Sequence, residues 1–205
     1  TITDTLSKSM FAHCDKLKRA YLEDGSKIMF GGMFYSCISL IDVYIPNTIE
    51  EIIAPFYFCD SLERIYIPES VIKISGPRLS SCANFKIIEV SKDKKEYMSE
   101  NNCIIRKKDG YLIDAANYEN IPNSVKIIGK EAFIYCRGSK KVIIPGNVER
   151  INHHAFVECE DIEEIEIALV ESTTPAVWPI WVQRICGGGA VVAVADADAA
   201  VGAEV

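Results

Sequence analysis

The cysteines of this chain are evenly spaced. They stand at positions 14, 37, 59, 82, 103, 136, 159 and 186, so the steps from Cys14 to Cys82 are 23, 22 and 23 residues, and the step from Cys136 to Cys159 is 23 again. Three residues before six of them stands a large apolar side chain: Phe11, Phe34, Phe56, Leu79, Phe133 and Phe156. Three residues after come Leu17, Leu40, Leu62, Phe85 and Ile162, with Ser139 as the exception. A short alternating run follows, as in Val43-x-Ile45-Pro46, Ile65-x-Ile67-Pro68 and Val142-x-Ile144-Pro145, then a second apolar pair such as Ile49 and Ile52 or Val148 and Ile151. Repetition at a fixed period of about 23 residues is the signature of a solenoid. Each unit carries a strand whose alternate side chains point inward, and one unit cannot bury its own apolar set, so stacked neighbours must complete the core. Proline lacks the N–H that a ladder needs, so Pro46, Pro68, Pro122 and Pro145 end their strands.

The pattern F-x-x-C-x-x-L-x-x-I-x-I-P-x-x-V-x-x-I, as it stands from Phe34 to Ile52 and again from Phe56 to Ile74, resembles the BspA-type (Treponema-type) leucine-rich repeats. The resemblance runs over roughly residues 6–168 and includes Val125 to Ile151. It implies an α/β leucine-rich-repeat solenoid of about seven rungs, a right-handed superhelix with a parallel sheet on one face and short helical turns on the other. The Phe-x-x-Cys segments are expected to supply those helical turns. The repeat domain spans 1–170 on this reading. The resemblance further implies a bacterial cell-surface or secreted protein acting in adhesion and host-protein binding.

The ruler is interrupted once. Cys82 to Cys136 spans 54 residues, which is 23 plus 31. The longer unit, about 92–122, holds Asp109-Gly110 between two apolar runs, a β-hairpin signal. It is expected to push residues 97–118 out of the solenoid as two antiparallel strands. Beyond residue 170 the register is lost. Residues 171–205, with Gly187-Gly188-Gly189 and an Ala/Val/Asp run, read as a C-terminal cap, a low-complexity tail or an appended segment.

Charge narrows the function. Lys+Arg is 22 and Asp+Glu is 29, a net of −7, which argues against a protein that neutralises nucleic-acid phosphates or lies on an anionic membrane. No uncharged apolar run reaches the ~20 residues needed to span a bilayer. The chain opens at Thr1 with no basic-then-apolar leader, which reads as a mature or trimmed product. Its three histidines, His13, His153 and His154, fall on separate parts of the repeat, and no metal-ligand, nucleophile or phosphate-loop motif occurs, so no catalytic residue, metal or cofactor is assigned. Same-register cysteines on adjacent rungs stand ~4.8 Å apart with parallel Cβ vectors, whereas a disulfide wants Cβ atoms ~3.8 Å apart and converging. The six repeat cysteines are therefore expected to be reduced core residues, and serine at position 59 would bring a hydroxyl with no evident partner.

With the inward positions assigned, the outward ones follow. One column reads Tyr21, Tyr44, Tyr66, Glu89, Asn120, Ile143 and Glu166. Arg19, Tyr21, Asp42, Tyr44, Glu63, Arg64 and Tyr66 form the candidate protein-binding surface, because exposed Tyr beside Arg is the composition of interface hot spots. Stacked tyrosines also stabilise a sheet without any ligand, so a purely structural column is the competing reading. Two function classes remain. One is a non-enzymatic protein-recognition module. The other is a regulatory or scaffolding domain of an enzyme whose catalytic part lies on other sequence or in the 97–118 hairpin.

Overall fold

The three-residue spacings of the sequence are β-turns. The structure, a computed structural model, describes residues 8–116 and 119–169 and the backbone of 190–195. The N–H of Cys37 donates to the carbonyl of Phe34 at 3.1 Å, and the N–H of Leu40 donates to Cys37 at 3.0 Å; Cys14 and Leu17, Cys82 and Phe85, repeat the arrangement. The proline carbonyls close the next corner, accepting from Ile49, Val71, Val125 and Val148 three residues on. The expected helical turns do not form. Among the described residues the one helical element is a single 3₁₀ turn at Leu79–Ser81. The cause lies in the residue before five of the six repeat cysteines: His13, Ser36, Phe58, Tyr135 and Glu158 all have φ between 54° and 59°. A left-handed residue there reverses the chain after one turn, and a right-handed helix cannot propagate through it.

The strands are short and there are two per rung. They are β1 (Arg19–Tyr21), β2 (Ile28–Met29), β3 (Asp42–Tyr44), β4 (Glu51–Ile53), β5 (Arg64–Ile67), β6 (Lys73–Ser75) and β7 (Ile87–Val90). The expanded unit contributes β8 (Tyr97–Glu100), β9 (Cys103–Arg106) and β10 (Tyr111–Ala115). There follow β11 (Ile127–Ile128), β12 (Lys141–Ile144), β13 (Arg150–Ile151), β14 (Glu164–Leu169) and β15 (Ala190–Ala195). The first face pairs β1 with β3, β5 with β7 and β12 with β14, all parallel, so that repeat mates oppose each other: Tyr21 and Tyr44, Tyr66 and Glu89, Ile143 and Glu166. The second face runs β2-β4-β6 and β10-β11-β13, again parallel. Six strands of the described chain occupy the first face at repeat positions rather than seven. The expanded unit holds the remaining place, where Ile121 and Val125 are buried without a strand.

Inside, the phenylalanines form a ladder. Phe11 and Phe34 stack at 5.6 Å, Phe34 and Phe56 at 5.7 Å, Phe133 and Phe156 at 4.8 Å, each within 15° of parallel. Such pairs add to the stability gained from burial alone.

The expanded unit differs from the expected protruding pair of strands. It is a three-stranded antiparallel meander, with β8 pairing β9 through Asn101-Asn102 and β9 pairing β10 through Asp109-Gly110. It is built into the core rather than pushed out. Ile104 packs with the N-terminal apolar cluster and its neighbours Cys103 and Ile105 with the C-terminal one, as strand alternation dictates. The Tyr97 hydroxyl accepts from the Ile74 N–H at 3.4 Å, and the Ile88 N–H donates to Asn102 Oδ1 at 3.2 Å, tying the meander to β6 and β7.

The meander has no Phe-x-x-Cys turn, and Asp114 supplies what is missing. In ordinary rungs the Phe N–H donates to a backbone carbonyl of the next rung, as Phe34 does to Pro55 at 3.0 Å and Phe56 to Pro77 at 3.1 Å. Leu79, at the equivalent position, donates instead to Asp114 Oδ2 at 3.0 Å, and Ser80 donates to Oδ1 at 3.2 Å. Around this joint the turns on either side of the insertion meet directly. Arg78 pairs with Glu131 at 2.5 Å, and the Ser80 hydroxyl donates to the Ile134 carbonyl at 2.9 Å. At the C-terminal end the β15 backbone pairs in parallel with β14; the rest of 171–205, read above as cap or tail, lies outside the described residues.

Candidate protein-binding face

Parallel pairing at a 23-residue offset puts the outward positions of β1 and β3 side by side, and β5 carries the equivalent position one repeat further on. Tyr21, Tyr44 and Tyr66 are 70%, 56% and 50% exposed. Among the described residues none of the three rings contacts another aromatic ring, in contrast to the stacked phenylalanines behind them. Arg19 and Asp42 are register mates, yet Arg19, Asp42 and Arg64 have no ion-pair partner among the described residues. Glu63 makes one long contact, 3.8 Å to Lys86. Ile41 and Ile87 widen the apolar part of this face, at 45% and 44% exposed.

The same face at the C-terminal end is arranged differently. Lys140 pairs with Glu163 at 2.7 Å, and Lys141 with Glu166 at 2.6 Å and Glu164 at 3.1 Å. These carboxylates raise the pKa of both lysines, Glu163 acting on Lys140 and Glu166 foremost on Lys141. All three glutamates of this rung are engaged by lysine.

The chemistry-bearing groups elsewhere are spent on structure. No disulfide joins the seven described cysteines, and all but Cys14 are buried; Cys14 is exposed because no described rung covers it, which corrects its assignment to the core. The thiols also do more than fill space. Cys37, Cys59 and Cys159 donate to the carbonyls of Phe11, Phe34 and Phe133, the phenylalanine of the preceding described turn, at 3.0, 3.0 and 2.8 Å. Position 59 therefore has a polar partner, and the expectation that a serine hydroxyl there would lack one is corrected. Hydrogen bonding with the Cys82 thiol and burial push the Cys59 thiol up, and burial pushes Cys103 up to about 12. Among the described residues Asp114 is the one carboxyl with a strongly raised pKa, about 6, caused by complete burial and opposed by N–H groups of Leu79, Ser80 and Ala115. It lies in the meander where acid–base chemistry was an open reading, but its oxygens face backbone donors.

Sequence reasoning missed a second aromatic group on the turn ridge. Tyr35, Tyr57, Phe58 and Tyr135 touch in series at 5.3 to 6.4 Å, with Arg78 over Tyr57 and Arg137 over Phe58. The signal was present in the two columns following each phenylalanine.

A model of the BspA type leucine-rich repeat region matches the chain in six copies, over residues 2–103 and 114–175. The chain belongs to this family of BspA-type leucine-rich repeat proteins. Among solved structures it is similar to a leucine-rich cell surface protein from Faecalibacterium prausnitzii, with 23% identity and a TM-score of 0.59 over 80% of this chain and 56% of that one. It is also similar to the pneumococcal vaccine antigen PcpA, with 20% identity and a TM-score of 0.61 over 73% of this chain and 39% of that one. The chain thus spans about half or less of these relatives in fold. No curated protein matches it. Among the described residues no helix is long and apolar enough to cross a membrane.

Proposed function

We propose that this repeat domain is a non-enzymatic protein-recognition module of a bacterial cell-surface or secreted protein. It engages an extracellular protein through Arg19, Tyr21, Asp42, Tyr44, Glu63, Arg64 and Tyr66. The observation that carries this reading is the tyrosine column itself: Tyr21 and Tyr44 are register mates, Tyr66 holds the same position one repeat on, and all three rings are half or more exposed without a ring partner among the described residues. A column serving only to brace the sheet would gain from ring contact, as the phenylalanine ladder does. Each tyrosine offers a rigid amphipathic surface at small entropic loss, and the unpaired Arg19 and Arg64 beside it are the side chains that hot spots favour. The cell-surface relative in fold supports the setting. A strip three rungs long spans only ~10 Å, so the contact must extend over Ile41 and Ile87 to approach the ~800 Å² per partner of a stable complex.

The test begins with capture from extracellular-matrix and serum proteins, followed by the Tyr44→Ala/Tyr66→Ala double variant against the captured partner. Affinity should fall by about 2 kcal/mol or more, roughly thirtyfold. Unchanged affinity with a lowered melting temperature would assign the column to the fold and place recognition elsewhere.

A further inference from the structure

The expanded unit borders a cleft. The Asp109-Gly110 turn lies against the approach to β11, where Lys126 and Ile127 donate their N–H groups to the Gly110 carbonyl at 2.9 and 3.2 Å. Glycine is required there: φ is 62°, and a Cβ would stand 2.6 Å from the Ser124 carbonyl oxygen. Beside this contact, on the second sheet face, opens a cleft of about 540 Å³. Its apolar lining is Met98, Ile105 and Ile127, and its cationic lining is Lys107, Lys108 and Lys126.

Three lysines in one cleft are unexpected in a chain of net charge −7. Elsewhere a lysine meets a glutamate 23 residues away, as in Lys27 with Glu50, Lys140 with Glu163 and Lys141 with Glu164. Lys126 and Glu149 stand in that same relation and both line the cleft, yet they form no ion pair. Lys108 also has no partner among the described residues, while Lys107 donates to the Lys94 carbonyl at 2.6 Å. The remaining carboxylate, Asp109, is held by Arg106 in a two-bonded pair at 2.9 and 2.7 Å, and that guanidinium keeps its pKa below the ordinary value. The cleft therefore combines an apolar lining with two unengaged ammonium groups and a single unneutralised carboxylate, Glu149.

We propose that this cleft binds a small organic anion with a compact apolar body, an aromatic or branched carboxylate. The body would lie on Met98 and Ile127, where a thioether adapts to irregular shapes, and the head would accept charge-assisted hydrogen bonds from Lys108 and Lys126. The volume falls within the ~300–1,000 Å³ of small-molecule sites. The site is independent of the tyrosine column.

The test is calorimetric titration of the full chain with 2-naphthoate, alongside neutral 2-naphthylmethanol and cationic 2-naphthylmethylammonium. The acid should bind saturably at one site, at least about tenfold tighter than either counterpart, which is the discrimination a charge-assisted contact provides. Lys108→Ala/Lys126→Ala should weaken it by about tenfold or more with an unchanged circular dichroism spectrum, and Glu149→Gln should tighten it. No saturable binding, equal binding of all three probes, or indifference to the double lysine variant would overturn the proposal. A short acidic peptide carrying one phenylalanine is the fourth arm. If it binds as tightly as the naphthoate, the site is a peptide site and the small-molecule assignment fails.

Discussion

At the N-terminal end of the first face, Tyr21, Tyr44 and Tyr66 make no ring contact with one another, beside arginines that form no ion pair among the described residues. At its C-terminal end, Lys140 and Lys141 are already bound to Glu163, Glu164 and Glu166. Behind both, the interior is the same stack of phenylalanines. The repeat therefore dictates the inward residues of every rung and leaves the outward ones independent. Surface groups that satisfy one another contribute a little to the fold and leave little for a partner. Groups left unsatisfied are where a partner can add binding energy.

This contrast can be broken or sharpened, starting with what the two ends share. Phe34→Ala and Phe156→Ala remove equivalent, fully buried rings, and each should lower the unfolding free energy by about 3–5 kcal/mol in urea titrations. A large difference between the two would show that the interiors are not equivalent.

The joint between the ends comes next. The Asp114 carboxyl has its pKa raised in the folded state to about 6, so its contribution to stability is present below the ordinary carboxyl range near 4 and is lost as pH rises through 6. Between pH 4 and 7 that loss is on the order of 2–3 kcal/mol. Asp114→Asn should remove this slope and, by turning a donor towards backbone N–H groups, should destabilise by about 1–3 kcal/mol at pH 7. The deficit relative to the parent should widen as pH falls to 4. A variant that keeps the parent slope would show that another group governs it.

The Tyr44→Ala/Tyr66→Ala pair should change stability by less than about 1 kcal/mol while weakening the partner by about 2. The reverse ratio would erase the distinction between the two ends. The smallest effect belongs to Lys141→Ala. It should shift the melting temperature slightly at low salt, not at all at high salt, and leave partner binding unchanged, as expected of exposed pairs.

The spacing of Phe, Cys and Leu was enough to place the turns and the inward positions, because a three-residue interval is what a β-turn imposes. The same interval is also what a helix shows, which is why the ridge reads as helical until the left-handed residues before Cys37, Cys59 and Cys136 are seen. The second sheet face was hard to read because β2, β11 and β13 are only two residues long and carry no alternation. The tyrosine column was visible as a column, but the lack of contact between its rings was not. Asp114 follows no motif, and its role appears only once the fold brings it to Leu79.

The Arg78–Glu131 contact joins residues 53 positions apart, where ordinary rung neighbours are about 23 apart. Loop-closure entropy grows only with the logarithm of length, so the longer closure costs about 0.7 kcal/mol more. Added chain at this point therefore burdens the fold very little, provided that a polar group still meets the Leu79 N–H and that the flanking turns still touch. An insertion inside an ordinary rung would shift every inward residue after it. The joint at Asp114 is thus the point where the solenoid absorbs a change in repeat length at small entropic cost.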